Sequence, residues 1–374
     1  MLTTMKNKEK IRSEGKRTGS DTTNYFRLLR ENFGNMIVRI PILNVAVDGW
    51  RLATQAFADE RKSYQRRQKW RSFFGALMNA KFASAWFRIL KSPDFLVVSE
   101  HRPRLYFKIF NVYMSIRWTR KQKIKVILDS YRYIMSKGEA FMQVITNSNG
   151  LEIARFKLND TIEGALILRY DNRYRKEGEM VFSFECDRLG GKIVDAAFSV
   201  EEVSDGCWVC RIGCIQGHAR NDEYYSKEAQ KLMHGLRPKS FIIFAIQEFS
   251  RQLGVTALYG VGDSIQAYRR KHTIHLPWRH SIHFNYNSIW TESGGQPGSD
   301  GWYELPLTPV RKEMHEIKTT KRALYLRRYK LLDALSLQIA VAVTGLSDES
   351  ASAVDTFKNN RNFAQVLYKE LQVS

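Results

Sequence analysis

The sequence contains no run of eighteen apolar residues, the length that a membrane-spanning helix needs. Its two best apolar segments, 241–249 and 337–346, are far too short. Residues 1–20 are polar and Lys-rich and lack the apolar core of a signal peptide. These absences favour a cytoplasmic protein, soluble or peripheral on a membrane, whose four cysteines are reduced thiols.

Familiar catalytic and nucleotide-binding motifs are also absent. There is no Gly-x-Ser-x-Gly, no P-loop and no Gly-x-Gly-x-x-Gly opening a helix after a strand. The usual anchors of hydrolases, nucleotidases and dinucleotide enzymes are therefore missing. The small numbers of Pro (8) and Gly (23) exclude collagen-like and low-complexity architectures.

Positive charge is abundant but unevenly distributed. Residues 1–135 hold 28 Lys and Arg against 10 Asp and Glu, a net charge of +18 out of +21 for all 374 residues. This asymmetry indicates that the N-terminal third meets an anionic surface, either a phospholipid or lipid precursor or a nucleic acid. A soluble basic face without a specific partner is the alternative.

The segment from Tyr64 to Leu90 has the apolar spacing of one helix, ended by Ser92-Pro93. Its stripe consists of Trp70, Phe73, Phe74, Leu77, Met78, Phe82, Trp86, Ile89 and Leu90, and the opposite face carries Arg66, Lys69, Lys81, Arg88 and Lys91. Such a helix either lies in a membrane interface or packs into the core. A second helix is predicted between an N-cap at Thr119 and a terminator at Gly138. Its basic first turns oppose the helix dipole.

From residue 140 onward, the period changes to that of short strands separated by Gly and Asn. Strands are predicted at Phe141–Thr146, Leu151–Leu158, Ala165–Tyr170, Glu179–Asp187, Lys192–Val200, Cys207–Gly217, Val255–Val261 and Trp302–Leu307. Helices are predicted from Pro238 to Gly254 and from Val310 to Thr344. The pattern indicates an antiparallel meander followed by a strand–helix–strand unit.

Cysteine and histidine clusters are weak candidates for a metal site. Cys207 and Cys210 form a Cys-x-x-Cys pair with Cys214 nearby, but Cys186 is distant and a zinc site needs four ligands. On a strand, Cys207 and Cys210 point to opposite faces. His272, His275, His280 and His283 cluster without the glutamate of an His-Glu-x-x-His motif. We therefore predict no metal and small buried cysteines.

The order of elements carries the functional hypothesis. The strand ending at Gly217 leads through a polar segment to a helix that opens at Leu236-Arg237-Pro238-Lys239-Ser240 and returns to a strand. Acyl-CoA N-acyltransferases (the GNAT fold) and related aminoacyl-transfer folds have this arrangement, since free N–H groups at a helix start bind phosphate. Only Gly235 is present where those folds use closely spaced glycines.

The stretch from about Glu100 to Leu331 resembles the VirK/YbjX family of bacterial proteins. The residues that carry the resemblance are 101–106 (HRPRLY), 212–217 (IGCIQG), 234–239 (HGLRPK), 286–290 (YNSIW), 294–295, 301–307 (GWYELPL) and 321–325 (KRALY). The resemblance implies a Gram-negative bacterial protein connected with virulence, envelope stress and survival against antimicrobial peptides. It does not supply a reaction.

We expect an α+β protein with a basic helical N-terminal region and a central, mostly antiparallel sheet with a GNAT-like core and C-terminal helices. The expected regions are a mobile polar tail (1–22), a basic, aromatic-rich helical region (23–136), an acyltransferase-like sheet domain with C-terminal helices (137–345) and a C-terminal tail (346–374). The expected function is acyl or aminoacyl transfer to an anionic lipid or glycolipid precursor at the inner face of the inner membrane, from acyl-CoA or aminoacyl-tRNA. The alternative is a non-enzymatic regulator or adaptor that binds RNA or a protein partner through the basic region.

Two groups of side chains are predicted to form the active site. Donor binding is assigned to Gln216, Gly235, Arg237, Lys239 and Ser240, with Gln216 orienting a carbonyl group. His234, Tyr286 and Glu292 are the candidate acids and bases. Each has a structural alternative: Arg237 and Lys239 as solvated charges at a helix start, and Tyr286 and Trp290 as a packing pair.

Overall fold

The computed structural model describes residues 41–217, 222–269 and 285–348, and the predicted tail 1–22, the four-histidine cluster and the predicted C-terminal tail after residue 348 lie outside them. The helices are α1 (Pro41–Ala56), α2 (Lys62–Met78), α3 (Ala80–Leu90), α4 (Pro93–His101), α5 (Arg120–Ser136), α6 (Glu139–Thr146), α7 (Asp222–Leu232), α8 (Pro238–Gln252), α9 (Tyr286–Glu292) and α10 (Thr319–Asp348). The strands are β1 (Leu151–Lys157), β2 (Glu163–Arg169), β3 (Met180–Cys186), β4 (Gly191–Ser204), β5 (Cys207–Gly217), β6 (Ala257–Val261), β7 (Gln296–Pro297) and β8 (Trp302–Leu305). The chain divides into two compact units, Met1–Ile89 and Leu90–Ser374.

In the first unit, α1 and α2 pack through small side chains. A Cβ atom on Gly49 would lie 2.9 Å from the Ser72 carbonyl oxygen and 3.1 Å from Ala76 Cβ, so the two helices approach closely. The predicted single helix Tyr64–Leu90 is wrong in one respect, because it breaks at Asn79 into α2 and α3.

The buried face of α2 carries small and polar side chains, whereas a core helix is expected to bury its large apolar side chains. Its buried side chains are Gln68, Ser72 and Ala76. Trp70, Phe74 and Met78 are instead 51%, 51% and 81% exposed. Trp70 and Phe74 stack on each other with ring centroids 5.5 Å apart, forming a continuous apolar stripe on the outside of the helix.

In the second unit, the described strands form one sheet in the order β1-β2-β3-β4-β5-β6-β8-β7. All neighbours are antiparallel except β5 and β6, which are parallel and joined through α8. The expectation of a mixed, mostly antiparallel fold with a C-terminal helix is confirmed. Helix α8 covers one face of the sheet, where Phe249 meets Phe182 edge-on with centroids 4.9 Å apart.

Helix α5 matches its prediction closely. Thr119 and Gln122 form a capping box, and Gly138 follows the helix with a φ of 91°. The Ser130 hydroxyl group donates to the Val200 carbonyl oxygen at 2.9 Å and accepts from the Val200 N–H at 3.1 Å, which fixes α5 against β4.

Two predicted elements are wrong. Phe141–Thr146 is part of helix α6, because its buried residues Phe141, Val144 and Ile145 recur at helical spacing. The C-terminal helix begins at Thr319, whereas residues 310–318 are extended or turn.

Within the described ranges, one stretch, Thr319–Leu346 of α10, is long and apolar enough to span a membrane by length and composition. In the structure this helix packs along the sheet unit. Ser336 donates to Glu248 of α8 at 2.6 Å, and Gln338 accepts the backbone N–H of Arg155 in β1 at 2.8 Å. These polar contacts are those of a helix packed in a globular unit.

Candidate functional site

Helix α8 begins as predicted, with Pro238 buried in its first turn and Arg237 as its N-cap residue. No side chain caps this end. The preceding turn contains two consecutive left-handed residues, His234 (φ 54°) and Gly235 (φ 77°), which end α7. A Cβ atom on Gly235 would lie 3.0 Å from Arg328 Nη2, so both the backbone conformation and the close approach favour glycine.

Arg237 does not stand alone at this helix start. It forms an ion pair with Glu292, the last residue of α9, and their side chains are 57% and 47% exposed. This guanidinium group lowers the pKa of Glu292. Lys239 and Ser240 are half-buried in the first turn of α8. The structure therefore places Glu292 against Arg237, 55 positions earlier in the chain, and Lys239 and Ser240 lie in the adjoining first turn of α8.

Tyr286 opens helix α9 and is 1% exposed. Its ring stacks on Trp290 with centroids 6.0 Å apart, and Trp290 Nε1 donates to the Val261 carbonyl oxygen at 2.8 Å. Burial raises the pKa of Tyr286 well above its usual value, and Cys214 adds to the effect. Six residues separate Tyr286 from Glu292, so the two point to different faces of the helix.

Gln216 is the second-last residue of β5 and pairs with Asp195 of β4. Paired residues share a face of the sheet, so Gln216 lies beside the buried Asp195 carboxylate. That carboxylate accepts hydrogen bonds from the Tyr174 hydroxyl at 2.9 Å and from Arg173 at 3.0 Å. Gln216 thus neighbours a charged group that the sequence analysis did not identify.

The sequence analysis also missed Glu177, which lies in the loop before β3. Its side chain is 1% exposed, and burial raises its pKa to about 7. Oε1 accepts from Gln266 Nε2 at 3.3 Å, and Oε2 has no hydrogen-bond partner among the described residues. The Cys214 thiol interacts with this carboxyl group and lowers its pKa. No motif marks Glu177, since its partners come from distant segments.

Glu177, Cys214 and Tyr286 meet at the point where the pairing of strand β6 with strand β5 ends. Parallel pairing ends at Ile212 and Gly260, whereas β5 continues to Gly217 paired only with β4. Gly213 forms a bulge there, and a Cβ atom on it would overlap the carbonyl oxygen of Glu177. We call the group of Glu177, Cys214 and Tyr286 the β5–β6 junction.

His234 lies in a different place. It lines an open cleft of about 610 Å³ between strand β1, helix α10 and the α7–α8 turn. Its carbonyl oxygen accepts from Arg328 Nη2 at 2.9 Å. Burial lowers the pKa of His234, and the positive charges of Arg327 and Arg328 lower it further. The predicted acids and bases are thus divided between two locations.

The cysteines are free thiols, with Cys186, Cys210 and Cys214 buried and Cys207 half-buried. Burial raises the pKa of Cys210 to about 12. Within the described ranges, no three His, Cys, Asp or Glu residues are grouped as metal ligands would be.

Comparisons with known proteins place the chain in a family. Residues 61–341 match the family model described as "Protein of unknown function (DUF535)". The chain is 28% identical to the "Uncharacterized protein YbjX" of Escherichia coli K12 over 297 residues, which covers 76% of this chain and 85% of that protein. It is also 32% identical over 129 residues to an uncharacterized protein of Haemophilus influenzae, covering 34% of this chain and 42% of that protein.

No solved structure matches the chain. The family match covers well over half of its length and includes the motifs quoted above. The chain therefore belongs to the DUF535 family, the YbjX/VirK family that its sequence resembles.

Proposed function

We propose that this protein is a membrane-associated transferase that moves an acyl or aminoacyl group onto an anionic lipid or glycolipid precursor, and thereby supports envelope integrity and resistance to antimicrobial peptides. The observation that carries the proposal is the β5–β6 junction. A carboxyl group with a pKa of about 7 lies where the one parallel strand pair of the described sheet separates. A base with a pKa near the working pH is the kind that proton transfer requires.

The GNAT-like part of this proposal rests on element order. Strand β5, helix α8 and strand β6 form a parallel crossover, and the start of α8 presents unpaired N–H groups and the positive end of its dipole. Arg237, Lys239 and Ser240 would bind the phosphate groups of acyl-CoA or the terminal nucleotide of aminoacyl-tRNA, next to Gly235.

In the proposed reaction, Glu177 accepts the proton of the acceptor hydroxyl or amine as that group attacks the donor carbonyl carbon. The bond from carbonyl carbon to the thiol of CoA, or to the ribose oxygen of tRNA, then breaks. The departing atom takes a proton from Tyr286, and Gln216 orients the carbonyl group, whereas His234 lies in the other cleft and takes no part in this step. Atoms and charges balance without any additional oxidant or reductant.

The ion pair between Arg237 and Glu292 gives the donor a way to open this site. Glu177 and Tyr286 are both 1% exposed, so a substrate reaches them only if α9 moves. A phosphate group that binds Arg237 would take the place of Glu292, because both are anions that pair with guanidinium. Helix α9 would then lose its polar tie to α8 at the moment of donor binding.

Membrane association is supported by the outer face of α2. Three large apolar side chains, Trp70, Phe74 and Met78, are exposed there. Arg66 and Lys69 lie on the same helix. Exposed aromatic residues next to cations are typical of helices that lie in an anionic lipid interface. The small side chains between α1 and α2 are also those that allow close helix packing in lipid.

Donor binding can be tested by thermal denaturation. Coenzyme A or a non-hydrolysable aminoacyl-adenosine analogue should raise the Tm of the wild-type protein and not that of Arg237→Ala. Glu292→Gln should strengthen binding, because it frees the guanidinium group. The matched control is Arg251→Ala at the other end of α8, whose partner is Glu248 at 2.7 Å. No Tm shift in either wild type or Glu292→Gln would reject the donor site.

Membrane binding is tested with phosphatidylglycerol vesicles. Replacing Trp70, Phe74 and Met78 by Ser should weaken cosedimentation, whereas Val310→Ser, at a side chain 77% exposed in the other unit, should not. Binding to RNA with a steep salt dependence, and none to vesicles, would instead support the adaptor function. Lipid profiles of a deletion strain and its parent would identify the acceptor.

A further inference from the structure

Four of the ten residues that line the cleft containing His234 are Lys or Arg. Its residues are Arg155, Phe156, Lys157, Glu163, His234, Arg327, Lys330, Leu331, Ala334 and Gln338. Two cations come from the edge strand β1 and two from helix α10, so they face the cleft from opposite walls. Glu163 is the one carboxylate in the lining, and it pairs with Lys157 in the register of β1 and β2.

The cations on the two walls differ in whether an acidic side chain forms an ion pair with them. Arg155 forms an ion pair with Glu152 at 2.5 Å. Within the part of the chain that the structure describes, Arg327 and Lys330 form no ion pair. Their positions, three apart on α10, place both on the same face of the helix. The α10 wall therefore carries two positive charges without a counter-charge from the described residues.

The cleft also has a fixed shape. Arg328 holds the α7–α8 turn onto α10 through two hydrogen bonds to the His234 carbonyl oxygen, from Nε at 3.2 Å and Nη2 at 2.9 Å. Gln338 ties the other end of the same wall to the backbone of β1. Leu331 and Ala334 of α10 give the lining an apolar part. A cavity with apolar walls and a few convergent charges is the usual form of a small-molecule site.

We infer that this cleft binds a phosphate-bearing ligand, whose phosphoryl oxygens pair with Arg327 and Lys330 while its apolar part lies on Leu331 and Ala334. Arg327 suits phosphate because its guanidinium group donates two parallel hydrogen bonds, and Lys330 adds a point charge. This inference does not depend on the proposed transfer reaction.

Burial lowers the pKa of His234, and the positive charges of Arg327 and Arg328 lower it further. A bound anion would act in the opposite direction and raise the pKa of His234.

Isothermal titration calorimetry on the full chain tests the inference with two probes, inorganic pyrophosphate and dihexanoyl phosphatidic acid. The double variant Arg327→Gln/Lys330→Gln should bind at least about tenfold more weakly than wild type, because two charged contacts are lost. The matched control, Lys312→Gln/Lys321→Gln, removes the same charge from exposed positions outside the cleft. Circular dichroism melting confirms that both variants fold.

The outcomes separate the ligand sources. Binding of pyrophosphate that the double variant weakens supports a free phosphate compound, and binding of phosphatidic acid alone supports a lipid headgroup. If neither probe binds at concentrations below about 1 mM, the inference is overturned. An equal loss of affinity in the double variant and in the control would overturn it as well. Because the start of α8 is also proposed to bind phosphate, the titrations are repeated in an Arg237→Ala background, where the loss caused by Arg327→Gln/Lys330→Gln reports the cleft alone, so that failure of the donor site and failure of the cleft are distinguishable.

Discussion

Lys108 Nζ lies 2.5 Å from Glu179 Oε1 in the interior, where the two side chains are 5% and 0% exposed. Tyr131 of α5 also donates to Glu179, at 2.7 Å. The Glu179 carboxylate, directly before strand β3, thus binds both Lys108 in the segment before α5 and Tyr131 in α5 itself. It thereby connects these two parts of the chain to the sheet.

Lys108→Met should lower the free energy of unfolding by about 3–5 kcal/mol, because Glu179 would remain buried without its cation. The double variant Lys108→Met/Glu179→Leu should recover part of this loss, since apolar replacement of a whole buried pair is often tolerated. Urea unfolding measures both, with the exposed Lys312→Met as control. A loss below about 1 kcal/mol for Lys108→Met would contradict the buried pair.

Glu177 should make stability depend on pH. Its folded pKa of about 7 is raised above the ordinary glutamate value of 4.5, so folding favours the protonated form. The contribution of Glu177 to the free energy of unfolding is about 3 kcal/mol in total. It is complete below pH 4.5 and is lost as the pH rises through 7.

Glu177→Gln should remove this dependence. Its free energy of unfolding should not show the fall that the wild-type value shows between pH 4.5 and pH 7. Urea unfolding at intervals between pH 4.5 and 8 measures it, and Glu304→Gln at an exposed strand position should follow the wild-type curve. Parallel curves for wild type and Glu177→Gln would show that the carboxyl group is not perturbed.

The basic third of the chain should control attachment to anionic membrane. Each Lys or Arg near such a surface contributes about 1 kcal/mol. Reversal of Arg66, Lys69 and Lys81 to Glu should therefore release the protein into the soluble fraction of a cell lysate. Unchanged fractionation of a folded triple variant would reject attachment through this region.

We predict that the cysteines hold no structural zinc. Cys207 Sγ lies 3.1 Å from Thr256 Oγ1, and Cys210 is buried in the sheet. Elemental analysis should find no stoichiometric zinc, and Cys210→Ser should leave the metal content unchanged. About one zinc per chain, lost in that variant, would be the opposite result.

The parts of the fold with local signals could be predicted from the sequence. The N-cap at Thr119 and the strand 207–217 depend on neighbouring residues, and the structure has both. Phe141–Thr146 was predicted wrongly because β-branched and aromatic residues there hid a helical spacing. The exposed stripe of α2 had two interpretations in the sequence, because periodicity shows that a face exists and not what covers it.

The candidate site was only partly predictable for the same reason. Pro238 and Arg237 mark the start of α8 locally, whereas the pairing of Arg237 with Glu292 depends on how α9 returns to the sheet. Glu177 acquires its raised pKa from burial against distant segments. No spacing in the sequence encodes that burial.

Strand β1 lies at the end of the sheet, and helix α10 runs along it. An uncovered strand edge is a template on which other chains add further strands. A fragment that ends before Thr319 would leave the backbone of β1 open to such additions, even if the remaining strands fold. Expression trials of shortened chains should therefore retain the C-terminal helix, because it packs along the edge of β1.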